Sequence, residues 1–142
     1  MKKVLLPLLS LAALLALAPA AYAADAAAAK QPSTDRVISH ADMKKTLETP
    51  DAVVILDLRR NSDYDKDTLT VPSARRFDPD KIAEWSSALS KDKEILLFCA
   101  HGRSISDASV DYLTKNGYKA RLVAGGFDSW KDVGGATTAK TK

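Results

Sequence analysis

The stretch Glu94-Ile95-Leu96-Leu97-Phe98-Cys99-Ala100-His101-Gly102-Arg103-Ser104 decides the fold. Residues Ile95 to Phe98 are continuously apolar, as expected of a strand buried on both faces, and such strands belong to parallel sheets covered by helices. Ala100 to Arg103 form a tight link with a glycine inside it. Ser104 followed by Asp107 resembles an N-terminal capping box. The helix it opens turns Ile105, Ala108, Tyr112 and Leu113 to one face and stops at Asn116-Gly117.

The same alternation continues outward on both sides. Ala52-Val53-Val54-Ile55-Leu56 is a second apolar run, ending in Asp57-Leu58-Arg59, and Tyr118 to Ala124, apolar but for Lys119 and Arg121, reads as a third strand closed by Gly125-Gly126. Val37-Ile38 begins a short edge strand, and Ser39 with Asp42 opens a helix through about Leu47. Asn61 to Thr70 is polar with one helical turn around Asp63-Tyr64. Val71 to Ala74 turns into an extended piece near Arg75-Arg76-Phe77. Asp80 is placed to cap a helix carrying Ile82, Trp85 and Leu89. Phe127, Trp130 and Val133 suit a terminal helical turn, with Phe127 and Trp130 in the core. Strands alternating with helices give an α/β fold with a mainly parallel sheet flanked by helices, one domain over residues 37–133. Residues 134–142 read as a flexible tail.

The N-terminus has a different character. Lys2 and Lys3 precede an apolar run from Val4 to Ala18, interrupted by Pro7, and Ala21-Tyr22-Ala23 supplies the small-x-small cleavage pattern. Residues 1–23 are therefore expected to be a secretory signal peptide, because the run is shorter than the roughly 20 residues a spanning helix needs. Residues 24–36, Ala-rich and then Lys30-Gln31-Pro32-Ser33, read as a flexible leader. Its bacterial style implies the periplasm. Cleavage leaves 119 of the 142 residues and a formal charge of +1, the chain's +3 less the two signal lysines. No basic patch remains for nucleic acid or an anionic membrane surface, and no apolar face predicts an oligomer, so a monomer is expected.

Cys99 is the single cysteine. It cannot close a disulfide within the chain, although exported proteins usually pair their cysteines. It is either a small apolar side chain finishing a strand or a residue kept for its chemistry. Its position favours chemistry. Ligand sites in open α/β sheets gather beyond the carboxyl ends of strands, and the unpaired amides of a helix start and of a curled loop attract anions. A thiol in that field ionises more readily. Gly102 lets the backbone curl. A metal at Cys99-x-His101 lacks a third ligand at suitable spacing, His40 being remote in sequence, so no metal and no cofactor is expected.

At this point the chain resembles a known family, the single-domain rhodaneses, which are sulfurtransferases. The loop Cys99 to Ser104 looks like their active-site loop, and Val53 to Arg59 resembles their strand followed by Asp-x-Arg. Asp63-Tyr64 and Val71-Pro72-Ser73-Ala74 follow in the place of their His-Ile-Pro-Gly-Ala, and Val123 to Trp130 is similar to their closing Gly-Gly-x-x-x-Trp. The sequence departs from the pattern where Arg103 lies four rather than five positions after Cys99, with Ser104 in the fifth, and where Leu69-Thr70 and Ser73 replace His-Ile and Gly.

The resemblance implies a five-stranded parallel sheet. It also implies that Cys99 carries a persulfide, taken from a small anionic donor such as thiosulfate and passed to cyanide or a thiol. The amides of Ala100, His101, Gly102, Arg103 and Ser104 would hold the charge on that sulfur, and Arg103 would either draw donors to the rim or lie solvated. Asp57 and Arg59 would organise the neighbouring loop by pairing. Two other classes compete: a non-catalytic module that binds a partner or senses redox state through Cys99, and a cysteine-dependent phosphatase. The second needs an Arg six residues after the cysteine to clamp phosphoryl oxygens, and position 105 is Ile.

Overall fold

A computed structural model describes residues 36–141; the expected signal peptide, and the leader apart from Arg36, lie outside the described residues. In chain order the elements are β1 (Val37–Ile38), α1 (His40–Thr46), β2 (Val53–Asp57), α2 (Asn61–Lys66), β3 (Leu69–Thr70) and β4 (Arg75–Arg76). There follow α3 (Ile82–Trp85), β5 (Glu94–Phe98), α4 (Ser104–Lys115), β6 (Lys119–Val123), α5 (Gly126–Asp132) and β7 (Thr138–Ala139). The main sheet has five strands in the order β1-β6-β5-β2-β4, and every pairing in it is parallel.

Successive residues of the central strands point to opposite faces, so their unbroken apolar runs build two cores. On one face Ile55, Leu96, Phe98 and Val123 pack with Met43 of α1 and with Phe127 and Trp130 of α5. On the other, Leu56, Ile95, Leu97 and Leu122 pack with Val110 and Leu113 of α4, and with Ile82 and Trp85 of α3. From β2 the chain steps one way to β4, then crosses back to β5 and on to β6. Strand order therefore reverses between β2 and β5. Their carboxyl ends flank the crevice where such sheets bind ligands.

Local chemistry shifts several boundaries. Ser39 caps α1 as expected, its hydroxyl accepting from the Asp42 amide at 3.1 Å. On the approach to α3, Asp78 rather than Asp80 does the capping: its carboxylate accepts from the Asp80 amide at 3.0 Å. Pro79 follows it in the first helical position, where a missing N–H costs nothing. Only one α-turn follows, between two 3₁₀ turns.

Helix α4 is rotated from the expected face. It buries Ser106, Ser109, Val110 and Leu113, while Ile105 and Tyr112 are half-buried and Ala108 is exposed. The small serines let the helix lie close to the sheet, and Ser109 satisfies its hydroxyl on the Ile105 carbonyl at 2.8 Å.

The tail also differs from expectation. Residues 138–139 are not frayed but pair antiparallel with β3, and the Lys140 amide donates to Thr68. Trp130 explains the return. Its indole N–H donates to the Ala136 carbonyl at 2.9 Å, and Gly135 lies so flat against the ring that a Cβ there would come within 2.1 Å.

Candidate active site

Cys99 follows directly on β5, the middle strand of the sheet, with a free thiol and 5% of its surface exposed. It belongs to neither apolar core. The loop from Cys99 to Arg103 then curls back under Gly125-Gly126, the turn that follows β6. Gly102 has φ +61° and Gly126 has φ +69°, both in the left-handed region that favours glycine. A Cβ on Gly102 would meet the Gly126 nitrogen at 2.5 Å; one on Gly126 would meet the Gly102 nitrogen at 2.3 Å and the Cys99 carbonyl oxygen at 2.6 Å. The two turns thus touch backbone to backbone, and only glycine permits it.

That contact polarises the loop. The amides of Phe127 and Asp128, in the first turn of α5, donate to the carbonyls of Cys99 and Ala100 at 2.9 and 3.0 Å. Among the described residues, no backbone or side-chain group accepts from the amides of Ala100, His101, Gly102 or Arg103. The carbonyls at the start of the loop are engaged and its donors are free. Successive free N–H groups in a curled segment make a concavity suited to negative charge.

The other expected residues are spread around this core of the site. Ala100 is buried, whereas His101, Arg103 and Ser104 are exposed and Gly102 is half-buried. Ser104 does not cap α4 through its side chain: Arg103 occupies the cap position, and Asp107 is drawn instead to Arg36, 3.6 Å away. His101 is held by its Nδ1 against the Asp128 carboxylate at 2.8 Å. Asp128 was not foreseen from sequence. Its signal was the Gly125-Gly126 pair, which marked a close approach whose partner a linear reading does not reveal.

Asp57 and Arg59 form the buried partner of this loop, tied to it where the Leu58 amide donates to the Phe98 carbonyl at 2.8 Å. Their side chains are 1% and 2% exposed and pair in a two-pronged manner, Nε to Oδ1 at 2.9 Å and Nη2 to Oδ2 at 2.6 Å. Thr70 donates its hydroxyl to the same carboxylate at 2.9 Å, and Arg59 also reaches the Leu69 carbonyl. The guanidinium lies 4.1 Å from the Phe127 ring centre and 5.0 Å from that of Tyr64. Cation–π contact therefore replaces part of its lost hydration.

Arg59 Nη1 has no hydrogen-bond partner among the described residues; Asp67 is 3.9 Å away. Asp67 in turn pairs with Lys131 at 2.5 Å, and Lys131 lies 3.6 Å from Asp128. Burial pushes the Asp67 carboxyl up, but the Lys131 ammonium, the Leu69 amide and nearby Arg59 outweigh it and hold the carboxyl below its ordinary range. The same hydrogen bond lifts Lys131 above its ordinary value. A line of polar contacts thus runs from Asp57 under the sheet edge to His101 at the loop's rim. Among the described residues, no three His, Cys, Asp or Glu side chains gather where they could hold a metal ion.

The chain is similar to known proteins in sequence and in fold. A family model described as "Rhodanese-like domain" matches residues 39–133. The thiosulfate sulfurtransferase GlpE of Coxiella burnetii (strain RSA 493) is 30% identical over 95 residues, covering 66% of this chain and 85% of the relative. Among solved structures, a rhodanese-related protein of Thermoplasma volcanium superposes with a TM-score of 0.65 at 26% identity, covering 74% of this chain and 99% of that one. A rhodanese-like domain protein of Staphylococcus aureus does so at 0.62 and 28%, covering 74% and 98%. The matched span starts at the cap of α1 and ends just past α5, enclosing both the cysteine loop and the glycine pair that braces it, and on these grounds the chain belongs to the rhodanese-like domain family.

Proposed function

We propose that this protein is a sulfurtransferase that carries sulfane sulfur on Cys99. The thiolate attacks the outer sulfur of a small anionic donor such as thiosulfate. A bond forms between Sγ and that sulfur, the donor's S–S bond breaks, and sulfite leaves with the electron pair. Cyanide or a thiolate then attacks the bound sulfur, and Cys99 departs as thiolate. Negative charge stays on sulfur throughout, so the protein's task is to hold an anion next to Cys99 without closing off the approach.

One observation carries this reading: the amides of Ala100 to Arg103 are free among the described residues, while the carbonyls of Cys99 and Ala100 are engaged by α5. Oriented donors that need no rearrangement during reaction are the cheapest way to stabilise charge in a water-poor site. The five-residue loop, which gives way to α4 at Ser104, also fits a sulfur on the cysteine better than a full phosphoryl group. Ile105 stands half-buried where a phosphatase would need its guanidinium. The donor and acceptor are proposed from the names of the relatives, and export to the periplasm from the N-terminal pattern.

Intact-mass spectrometry after thiosulfate treatment tests this directly. The protein should gain about 32 Da, lose it on a cyanide chase with thiocyanate released, and do neither as Cys99→Ser. A wild-type protein that gains no sulfur overturns the reading. Stoichiometric mixed disulfide with a thiol partner, without turnover, would favour the binding or redox module instead.

A further inference from the structure

Loading Cys99 from thiosulfate needs no proton transfer, because the donor arrives as an anion and sulfite leaves as one. Discharge to a thiol is different. A thiol of ordinary pKa, about 8.5, is about 3% ionised at pH 7, so a proton must come off as its sulfur attacks. The amides around Cys99 only donate and offer nothing to take it. Along the loop, Ala100 and Gly102 carry no polar side chain, Arg103 stays a cation and Ser104 has only a weakly basic hydroxyl. His101 is the loop's one side chain with a lone pair suited to the task.

Asp128 holds that ring in place. It meets two consecutive residues of the loop: its amide donates to the Ala100 carbonyl at 3.0 Å, and its Oδ2 lies 2.8 Å from Nδ1 of His101. Facing a carboxylate oxygen so closely, Nδ1 carries the hydrogen, which leaves Nε2 of the neutral ring bare on an exposed side chain. The other histidine differs. His40 uses its Nε2 on the Ala124 carbonyl at 2.6 Å and tilts against Trp130. The charged groups near His101 are Asp128 and Lys131 on α5, with Lys131 3.6 Å from the second oxygen of Asp128, and Arg103 in its own loop. On α4, Asp107 is held by Arg36.

We infer that His101 is the base that takes the proton of a thiol acceptor, and that Asp128 is the residue that positions it. The inference rests on the sulfur-transfer reading above and deepens it at the second half-reaction. The Cα atoms of Cys99 and His101 are two peptide units apart, at most about 7.6 Å. A persulfide extends about 2 Å beyond Sγ, toward the rim where the ring lies. The thiol's sulfur bonds to the outer sulfur, the bond from Sγ to that sulfur breaks, and Cys99 leaves as thiolate. The thiol's proton passes to Nε2, and the imidazolium so formed hands it to water. The acceptor departs as its persulfide. Asp128 offsets the charge on the ring while it is protonated. The gain is bounded: with about 3% of the thiol ionised unaided at pH 7, a base adds at most about 30-fold.

The test follows discharge of the thiosulfate-loaded protein, in a single turnover, by two thiols: cysteine, mostly protonated at pH 7, and 4-nitrothiophenol, already ionised there. The readout is the ratio of the cysteine rate to the nitrothiophenol rate. His101→Gln should lower that ratio about tenfold at pH 7, and the ratio should return to within about twofold of the wild type's at pH 9, where cysteine ionises by itself. Asp128→Asn should lower it as well, because a carboxamide can donate to Nδ1 and so turn the ring's hydrogen to Nε2. The double variant should fall no further than His101→Gln, since both changes remove one base. An unchanged ratio in His101→Gln, a ratio still low at pH 9, or losses that add in the double variant overturn the proposal while sulfur transfer itself stands. No gain of sulfur from thiosulfate in the wild type would instead fell the sulfur-transfer reading, and this inference with it.

Discussion

Two strands end side by side, Asp57 opposite Phe98 in register, and their carboxyl ends are used in contrary ways. After β2 most polar groups satisfy one another: Asp57, Arg59, Thr70 and the Leu69 carbonyl close into a buried knot, with Arg59 Nη1 alone left over. After β5 the carbonyls of Cys99 and Ala100 are taken by α5 and the loop's amides are left over. The first end stores its hydrogen-bonding capacity in structure, and the second keeps half of it for something that binds. Charged side chains are therefore a poor guide to the reactive end of this sheet. The buried Asp–Arg pair closes largely on itself, and in the proposed reaction the charge on the Cys99 sulfur is held by backbone N–H groups that no side-chain motif encodes.

The contrast is broken first at the knot. Removing one partner leaves a buried charge uncompensated, which costs about 3–5 kcal/mol, whereas removing both avoids that penalty. Asp57→Asn and Arg59→Met should each lower the urea-unfolding free energy by that amount. The double variant should lose clearly less than their sum, because each single change already incurs the penalty the other would add. If the losses simply add, the knot is not a coupled unit. Persulfide formation per folded molecule should fall by less than tenfold in these variants, since neither side chain is assigned to the sulfur.

The opposite pattern is expected where the glycine turns meet. Gly126→Ala puts a methyl group within 2.7 Å of three backbone atoms of the cysteine loop, at φ +69°. Backbone on both sides has no rotamer to yield, so the two segments must part. Strain and overpacking together cost about 3 kcal/mol. The effect on activity should exceed that on stability: displacing the loop by about 1 Å suffices for a roughly 100-fold loss of persulfide formation. Calorimetry and the mass assay on the same sample separate the two. A variant that is less stable but reacts normally would show that the contact only fastens α5.

How much of this was legible follows from the range over which each cause acts. The apolar runs 53–56 and 95–98, and the caps at Ser39 and Asn116-Gly117, are local, and they placed the parallel sheet, α1 and the end of α4. Cys99 at a strand's end was equally local. What escaped was settled by distant partners. Asp107 left its expected capping role because Arg36 lies across from it, α4 turned its serines inward to fit the sheet, and β7 formed because Trp130 needed an acceptor at Ala136. Asp128 met His101 only through the Gly102–Gly126 contact, which joins turns 24 positions apart in the chain. The free amides were the least visible of all, because an unpaired backbone donor leaves no mark on residue identity.

The smallest effect sharpens the comparison from the scaffold side. Around the cysteine loop every left-handed position is a glycine: Gly102, Gly125 and Gly126. On the scaffold side, ahead of β4, the left-handed position is Ser73 at φ +63°, the one non-glycine residue with positive φ among the described residues. A residue with a Cβ is strained there by about 1–2 kcal/mol. Replacing it with glycine removes that strain but adds chain entropy to the unfolded state, worth about 0.5–1 kcal/mol. The difference favours the substitution. Ser73 is exposed, so little packing is lost. Ser73→Gly should therefore stabilise the fold by about 0.5 kcal/mol in urea unfolding and leave sulfur loading unchanged. A destabilisation would mean that the Ser73 side chain supports the turn, and that the scaffold end is less strained than its backbone implies.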